Sequence, residues 1–240
     1  MMKHMLILLT ILLSVNAGVW AQRDAAAEIV TVQAEDGLML VGEFYAASDD
    51  EPAPSLLLMH MLGGRRNAWQ ALIPLLTDAG YNVLAVDLRG HGDTGGAQDW
   101  QAAERDIDIW LGWLSEQPSV MPDAFGLIGG SIGSNLALIG CAYDLRCVTA
   151  VALSPGLDYR GVVVDEAVLD AMAERSLLLV AAQGDQYSAD SVKTLAGLSI
   201  GALGLQLYPG STHGTHLIAA ADAPAVELIT HWLSVYLPAA

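Results

Sequence analysis

Three residues, Ser131, Asp185 and His213, have the types needed for acyl-transfer chemistry. Ser131 sits in Gly129-Gly130-Ser131-Ile132-Gly133, between the short apolar run Phe125–Ile128 and the helix-favouring Leu136–Ile139. That order reads as a buried strand turning sharply into a helix, with the serine at the apex. Glycine has a physical purpose on both sides, because so tight a turn crowds its own backbone and leaves no room for Cβ. The positive end of the following helix would lie where negative charge develops. A serine hydroxyl is a poor nucleophile at neutral pH and needs an adjacent base, itself oriented by a third group. Histidine and aspartate supply those roles. Taken singly, each residue has an ordinary reading: a strand-to-helix turn with a phosphate-binding nest, a satisfied loop histidine, and a solvated carboxylate or helix cap.

The elements that would position these residues alternate regularly. The spacing predicts strands over 28–34 and 38–45 joined by a turn at Glu35-Asp36-Gly37, hence a hairpin. Strands are predicted over 55–59, 82–86, 125–130, 147–153, 177–182 and 204–208, and helices over 67–79, 98–116, 132–143, 162–174, 188–198 and 223–236. This pattern predicts an α/β fold: a mainly parallel central sheet with an N-terminal antiparallel hairpin and helices on both faces. Functional loops of such sheets lie at the carboxyl ends of the strands. Those ends carry His60-Met61-Leu62-Gly63-Gly64, Asp87-Leu88-Arg89-Gly90-His91-Gly92, the Ser131 turn, Gln183-Gly184-Asp185 and Ser211-Thr212-His213-Gly214.

These segments, each after its expected strand and in the order Ser…Asp…His, resemble the α/β-hydrolase superfamily from about Ile29 to the C-terminus. The similarity is greatest to compact dienelactone-hydrolase-like and serine-aminopeptidase-like (monoacylglycerol-lipase-like) domains. The resemblance implies an α/β-hydrolase fold in which Ser131 is the nucleophile, His213 the base and Asp185 the group orienting it. It also implies an oxyanion hole from the backbone N–H groups of Ile132 and Leu62. Met61 stands where the family usually has Gly, so Met61 is a rival donor. His216 is a rival base, but the family pattern places the base before Gly, as in His213-Gly214. Asp158, after the preceding strand, is a rival acid. His60 reads as structural, bonding its own loop. The Asp87–Gly92 segment reads either as substrate contact by Arg89 or His91 or as a structural turn pinned by an Asp87–Arg89 pair, and the resemblance favours the turn. A dienelactone hydrolase proper uses Cys where this chain has Ser131, so that substrate is not assigned.

The whole chain narrows the setting. Its 240 residues suit one large domain, and a formal net charge of −17 with scattered basic residues argues against nucleic acid or anionic membrane as partners. Met1-Met2-Lys3-His4, the apolar run Leu6–Val15 and the small residues Val19 and Ala21 form a signal-peptide pattern with cleavage before Gln22. The run is short for a spanning helix, which needs about 20 apolar residues. The expected organisation is a signal peptide over 1–21, a linker over 22–27 and a hydrolase domain over 28–240, with 157–175 as a candidate small cap. Secreted or periplasmic localisation follows. Cys141 and Cys147 could pair in an oxidising compartment or remain buried thiols, and they lack zinc-ligand spacing. Trp69, Trp110, Trp113 and Trp232 fall at helical positions and read as packing residues.

These features predict an exported serine hydrolase that cleaves an ester or related acyl bond through an acyl-enzyme. They call for a small-molecule acyl substrate, no cofactor and no metal. Peptidase, thioesterase and acyltransferase chemistry on the same three residues stay open, because fold and triad do not fix substrate. The competing reading is a secreted binding protein that retains the fold without turnover.

Overall fold

A computed structural model describes residues 27–47 and 51–239. The signal-peptide reading of 1–21 and most of the 22–27 linker lie outside the described residues; Ala27 already belongs to the first strand.

Two strands open the fold, β1 (Ala27–Gln33) and β2 (Met39–Tyr45). β3 (Ala53–Met59), β4 (Asn82–Asp87), β5 (Val120–Gly130) and β6 (Cys147–Leu153) follow. A two-stranded hairpin, β7 (Asp158–Tyr159) and β8 (Val162–Val163), precedes β9 (Ser176–Ala182) and β10 (Leu203–Tyr208). The main sheet runs β1-β2-β4-β3-β5-β6-β9-β10. β1 pairs antiparallel with β2, and β2 antiparallel with β4; every other pairing in the sheet is parallel. The helices are α1 (Ile73–Asp78), α2 (Trp100–Ser115), α3 (Ile132–Tyr143), α4 (Glu166–Met172), α5 (Gln186–Leu198) and α6 (Pro224–Tyr236).

The alternation of side chains along a strand divides the core in two. In β3, Leu57 and Met59 face a core built with α2, α3, α4 and α5, whereas Leu56 and Leu58 face a core built with α1 and α6. Covering both faces explains why the central strands are apolar throughout rather than alternating. Trp69, Trp110 and Trp232 are buried in these cores, and Trp113 packs against one edge.

Two expected helices change, and one of the two readings left open for Cys141 and Cys147 is realised. The helix predicted over 67–79 is a 3-10 turn (Arg66–Trp69) followed by α1, because Pro74 lacks an N–H and suits a helix's first turn rather than its interior. The helix predicted over 162–174 is the short α4: Val162 and Val163 pair with β7 instead, and the Asp165 side chain caps the Val168 N–H to begin the helix there. Cys141 and Cys147 form a disulfide with Cα atoms 5.1 Å apart, tying the end of α3 to the start of β6.

Candidate active site

β5 ends where α3 begins, and Ser131 makes the junction with φ 53° and ψ −122°. This left-handed backbone is costly for a residue with a Cβ and persists only where the surroundings impose it. They do so here. The Ser131 N–H donates to the Leu153 carbonyl at 2.8 Å. A Cβ on Gly129 would collide with the Gly133 carbonyl, and one on Gly133 with the backbone of Met59 and His60. The glycines therefore let β5, α3 and the loop after β3 meet directly under the serine.

His213 follows β10 and reaches back over β5. Its Nδ1–H donates to Asp185 Oδ2 at 2.6 Å, and its Nε2 lies 2.7 Å from Ser131 Oγ. The carboxylate can only accept, so it fixes the tautomer and leaves Nε2 to receive the serine proton. Asp185 occupies the N-cap position of α5 yet makes no capping bond with its side chain. The loops carrying acid and base are also tied together, Gln183 N–H to Tyr208 O at 2.8 Å and Gly184 N–H to Gly210 O at 2.7 Å. The three side chains thus converge from the ends of β5, β9 and β10. Ser131 is 7% exposed, whereas the His213 side chain is 36% exposed, so the imidazole forms part of the open wall.

The loop after β3 is held by His60. Its Nδ1–H donates to Met61 O at 2.7 Å, and its Nε2 accepts the Leu88 N–H at 3.0 Å. Burial lowers the pKa of this imidazole to about 4, so it is neutral at pH 7. Met61 O also accepts the Gly64 N–H at 2.9 Å. Because the peptide is planar and trans, anchoring that carbonyl turns the Leu62 N–H the opposite way. Among the described residues, neither the Leu62 nor the Ile132 N–H donates to a protein acceptor. Met61 packs its side chain on Gly214, where a Cβ would lie 3.0 Å from Sδ.

The rival residues fall elsewhere. His216 is exposed, and its N–H donates to His213 O at 3.2 Å. Asp158 Oδ1 accepts the Gly161 N–H at 2.8 Å and closes the β7–β8 turn. Asp87 and Arg89 do pin loops, but not by pairing with each other. Asp87 binds the Arg66 guanidinium and the Asp93 N–H, whereas Arg89 binds Asp36 and Asp106. His91 Nδ1 bonds Arg89 O at 2.8 Å, within the same turn.

Tyr159 was not singled out from the sequence. Its ring stands edge-on to His213, centroids 6.4 Å apart, and its hydroxyl bonds Ser154 O at 3.2 Å and Ser188 Oγ at 3.0 Å. The available signal was an aromatic residue in a loop at a strand's carboxyl end. A cavity of about 450 Å³ lies beside this centre, lined by Met61, Arg65, Asn67, Gln70, Thr215 and His216 among others, but not by Ser131. Among the described residues no three His, Cys, Asp or Glu side chains group to hold a metal ion, and no helix is long and apolar enough to cross a membrane.

Comparison with known proteins agrees with this architecture. Residues 54–213, more than half of the chain, match the family model described as alpha/beta hydrolase fold. A thiohydrolase of Aspergillus aculeatus is 27% identical over 171 residues, 67% of this chain and 51% of that protein. A polyketide transferase of a Penicillium species is 28% identical over 134 residues, 52% of this chain and 44% of that protein. The chain thus spans about half the length of the curated relatives it matches. Among solved structures, an esterase of Pyrococcus furiosus superposes with a TM-score of 0.74 at 19% identity, covering 92% of this chain and 95% of that one. A dienelactone hydrolase of Anabaena variabilis gives 0.70 at 17% identity, covering 88% and 98%. At these identities the superpositions speak to the fold alone.

Proposed function

The chain belongs to the α/β-hydrolase family, and from that premise we propose that it is an exported serine hydrolase cleaving an ester or related acyl bond through an acyl-enzyme. The observation that carries this reading is the continuous relay from Asp185 Oδ2 through His213 to Ser131 Oγ, with contacts of 2.6 and 2.7 Å. In the proposed reaction, His213 Nε2 takes the Ser131 proton as Oγ attacks the acyl carbon. The oxyanion is received by the Ile132 and Leu62 N–H groups. Collapse breaks the bond to the leaving group, which takes the proton from His213. Water then repeats the sequence on the acyl-enzyme, releasing the acid and restoring Ser131. Asp185 keeps its charge throughout, holding the imidazole and stabilising the imidazolium.

A thioester is the second substrate class considered. It is favoured by one observation, the thiohydrolase among the curated relatives. Either substrate would meet the same nucleophile, because both present an acyl carbon with a leaving heteroatom. Export rests on the pattern of residues 1–21. It is checked by N-terminal sequencing of protein recovered from an exporting host, where the expected first residue is Gln22.

A fluorophosphonate probe tests the chemistry. The expected result is one adduct at Ser131, located by mass spectrometry and absent in His213→Ala. A folded protein that neither labels nor cleaves short-chain aryl esters or thioesters overturns the reading in favour of a non-catalytic binding protein.

A further inference from the structure

We propose that Ser154 is a positioning residue for the reaction: its hydroxyl fastens the backbone beside His213 and thereby sets the imidazole against Ser131. The proposal rests on the reading of Ser131 and His213 as nucleophile and base.

Ser154 immediately follows β6 and is fully buried, with φ 55°. That left-handed backbone suits glycine, and a residue with a Cβ adopts it at a cost. Among the described residues, Ser131, Arg160 and Ala173 share the strain. Arg160 and Ala173 are exposed, at the β7–β8 turn and the end of α4. The two serines are buried, and they leave the sheet side by side, because Gly130 of β5 pairs with Leu153 of β6. Such strain persists only where the surroundings impose it, and it gathers at functional sites. The elbow accounts for Ser131. Around Ser154 the backbone is held on both sides: its N–H donates to Val180 O at 2.7 Å, and its carbonyl accepts the Tyr159 hydroxyl at 3.2 Å and the Ser188 hydroxyl at 3.3 Å.

So held, Ser154 presents its hydroxyl to the loop that carries the base. The Gly214 N–H donates to Ser154 Oγ at 2.9 Å, one residue from the His213 imidazole. Among the described residues, no other backbone hydrogen bond joins 211–215 to another part of the fold. The tie between Gly184 and Gly210 stops short of this stretch. The loop also lies flat on the elbow. Gly214 has φ 56°, and a Cβ there would lie 3.0 Å from Met61 Sδ and 3.5 Å from Ser131 Cβ. A Cβ on Gly130 would lie 2.9 Å from the Thr215 nitrogen. A small shift of Gly214 therefore moves His213 relative to Ser131.

Two demands meet at position 154 and pull apart. Glycine would satisfy the backbone more easily but has no oxygen to offer. Serine keeps the strain and supplies the acceptor. Ser154 takes no part in proton transfer, so its hydroxyl acts through His213 alone. Without it, the buried Gly214 N–H has lost its acceptor, and the loop must shift to find another. The contact of 2.7 Å between His213 Nε2 and Ser131 Oγ is then no longer held. His213 serves both the attack of Ser131 and the attack of water, so the two steps slow together. A displacement of about 1 Å costs on the order of 100-fold in rate.

Two variants separate the hydroxyl from the strain. Ser154→Ala removes Oγ and keeps the strained backbone. Ser154→Gly removes Oγ and relieves the strain, so it should unfold about 2–4 °C above the alanine variant. Both should lose kcat toward p-nitrophenyl acetate by about 10- to 100-fold, with KM within about twofold of wild type. Fluorophosphonate labelling of Ser131 should slow by a similar factor yet still reach one adduct per chain, which a loss of folded protein would not produce. If the alanine variant does not fold, the glycine variant decides alone. A kcat within about threefold of wild type in either variant overturns the assignment. So does recovery of kcat in Ser154→Gly along with its stability, since the backbone and not the hydroxyl would then govern the rate. A raised KM with kcat kept also overturns it, by placing the loss in substrate binding. A wild-type protein that neither labels at Ser131 nor turns over the ester fails the hydrolase reading itself, which an active wild type with unimpaired variants does not.

Discussion

Two clusters of ionisable side chains lie beyond the strand ends, and they differ in what they leave unsatisfied. Around Asp87 and Arg89, nearly all hydrogen-bonding capacity is consumed internally. Asp87 accepts the Arg66 N–H at 2.8 Å, the Arg66 guanidinium, and the Asp93 N–H at 2.9 Å. Arg89 donates to Asp106 and Asp36 while its side chain is 5% exposed. Around Ser131 the bonds form an open line instead: carboxylate to imidazole to hydroxyl, ending on an oxygen with free lone pairs beside a half-exposed ring. The Asp87 segment is the more densely charged in sequence, yet its charges fasten loops. Chemistry is better sought where a polar chain stops at an unpaired acceptor.

The sharpest way to break the contrast is to remove the end of the open line. Ser131→Ala should lower kcat/KM toward aryl esters by roughly 10⁴-fold or more and abolish fluorophosphonate labelling, with the unfolding midpoint unchanged or raised. The midpoint forms part of the prediction because the side-chain bond lost is the one to His213 Nε2, while the backbone bonds that fasten the elbow remain. Asp185→Asn should cost about 10²- to 10⁴-fold in kcat, since an amide can present its N–H to Nδ1 and favour the wrong tautomer. Activity within tenfold of wild type would mean Asp185 is not the orienting group. It would also direct attention back to Asp158, whose carboxylate closes the hairpin turn.

What could be read from sequence divides along the same line. The alternating strands and helices were legible because side-chain period and glycine placement are local properties. The elbow was legible for the same reason: Gly129 and Gly133 answer a steric demand within a five-residue span. Non-local pairing was not. Arg89 meets Asp36 across 53 residues and Asp106 across 17, so its pairing with the nearer Asp87 was the natural but mistaken expectation. Tyr159 escaped notice because an aromatic residue in a loop acquires meaning only when Asn135 and Gly156 place it beside His213. The break between the 3-10 turn and α1 was signalled by Pro74, but the apolar pattern running through it reads as one helix.

The closed cluster should respond in the opposite sense, with stability lost and chemistry kept. Arg89→Gln would strand Asp106, a carboxylate that burial already pushes toward a higher pKa and that the Arg89 guanidinium holds down. Breaking one side of a buried ion pair costs about 3–5 kcal/mol, measured by urea unfolding. The folded fraction should nevertheless retain its kcat/KM. Lost turnover with unchanged stability would place Arg89 among the substrate contacts and remove the distinction between the clusters.

The smallest expected effect compares two histidines rather than two clusters. His60 has both ring nitrogens engaged by backbone groups and is fully buried, whereas His213 ends on a reactive oxygen. Burial lowers the His60 pKa to about 4, against about 6.5 for the unfolded chain. Between those values the unfolded state binds a proton that the folded state refuses. Stability therefore falls as pH drops from about 6.5 toward about 4, with a slope of at most about 1.4 kcal/mol per pH unit. From pH 7 to 5 the His60 contribution is a loss of about 2 kcal/mol. Glu104, the buried Asp106 and Asp108, whose pKa values are raised by desolvation, act in the opposite direction, so the total slope does not isolate His60. The difference between wild type and His60→Asn does, because asparagine keeps a donor for Met61 O but has no proton to take up in this range. The wild type should lose about 2 kcal/mol more than the variant over that interval by urea unfolding, whereas His213→Asn should leave most of the wild-type slope in place. Parallel curves for wild type and His60→Asn would mean that the loop after β3 opens to admit the proton, and that the Leu62 N–H is not rigidly presented.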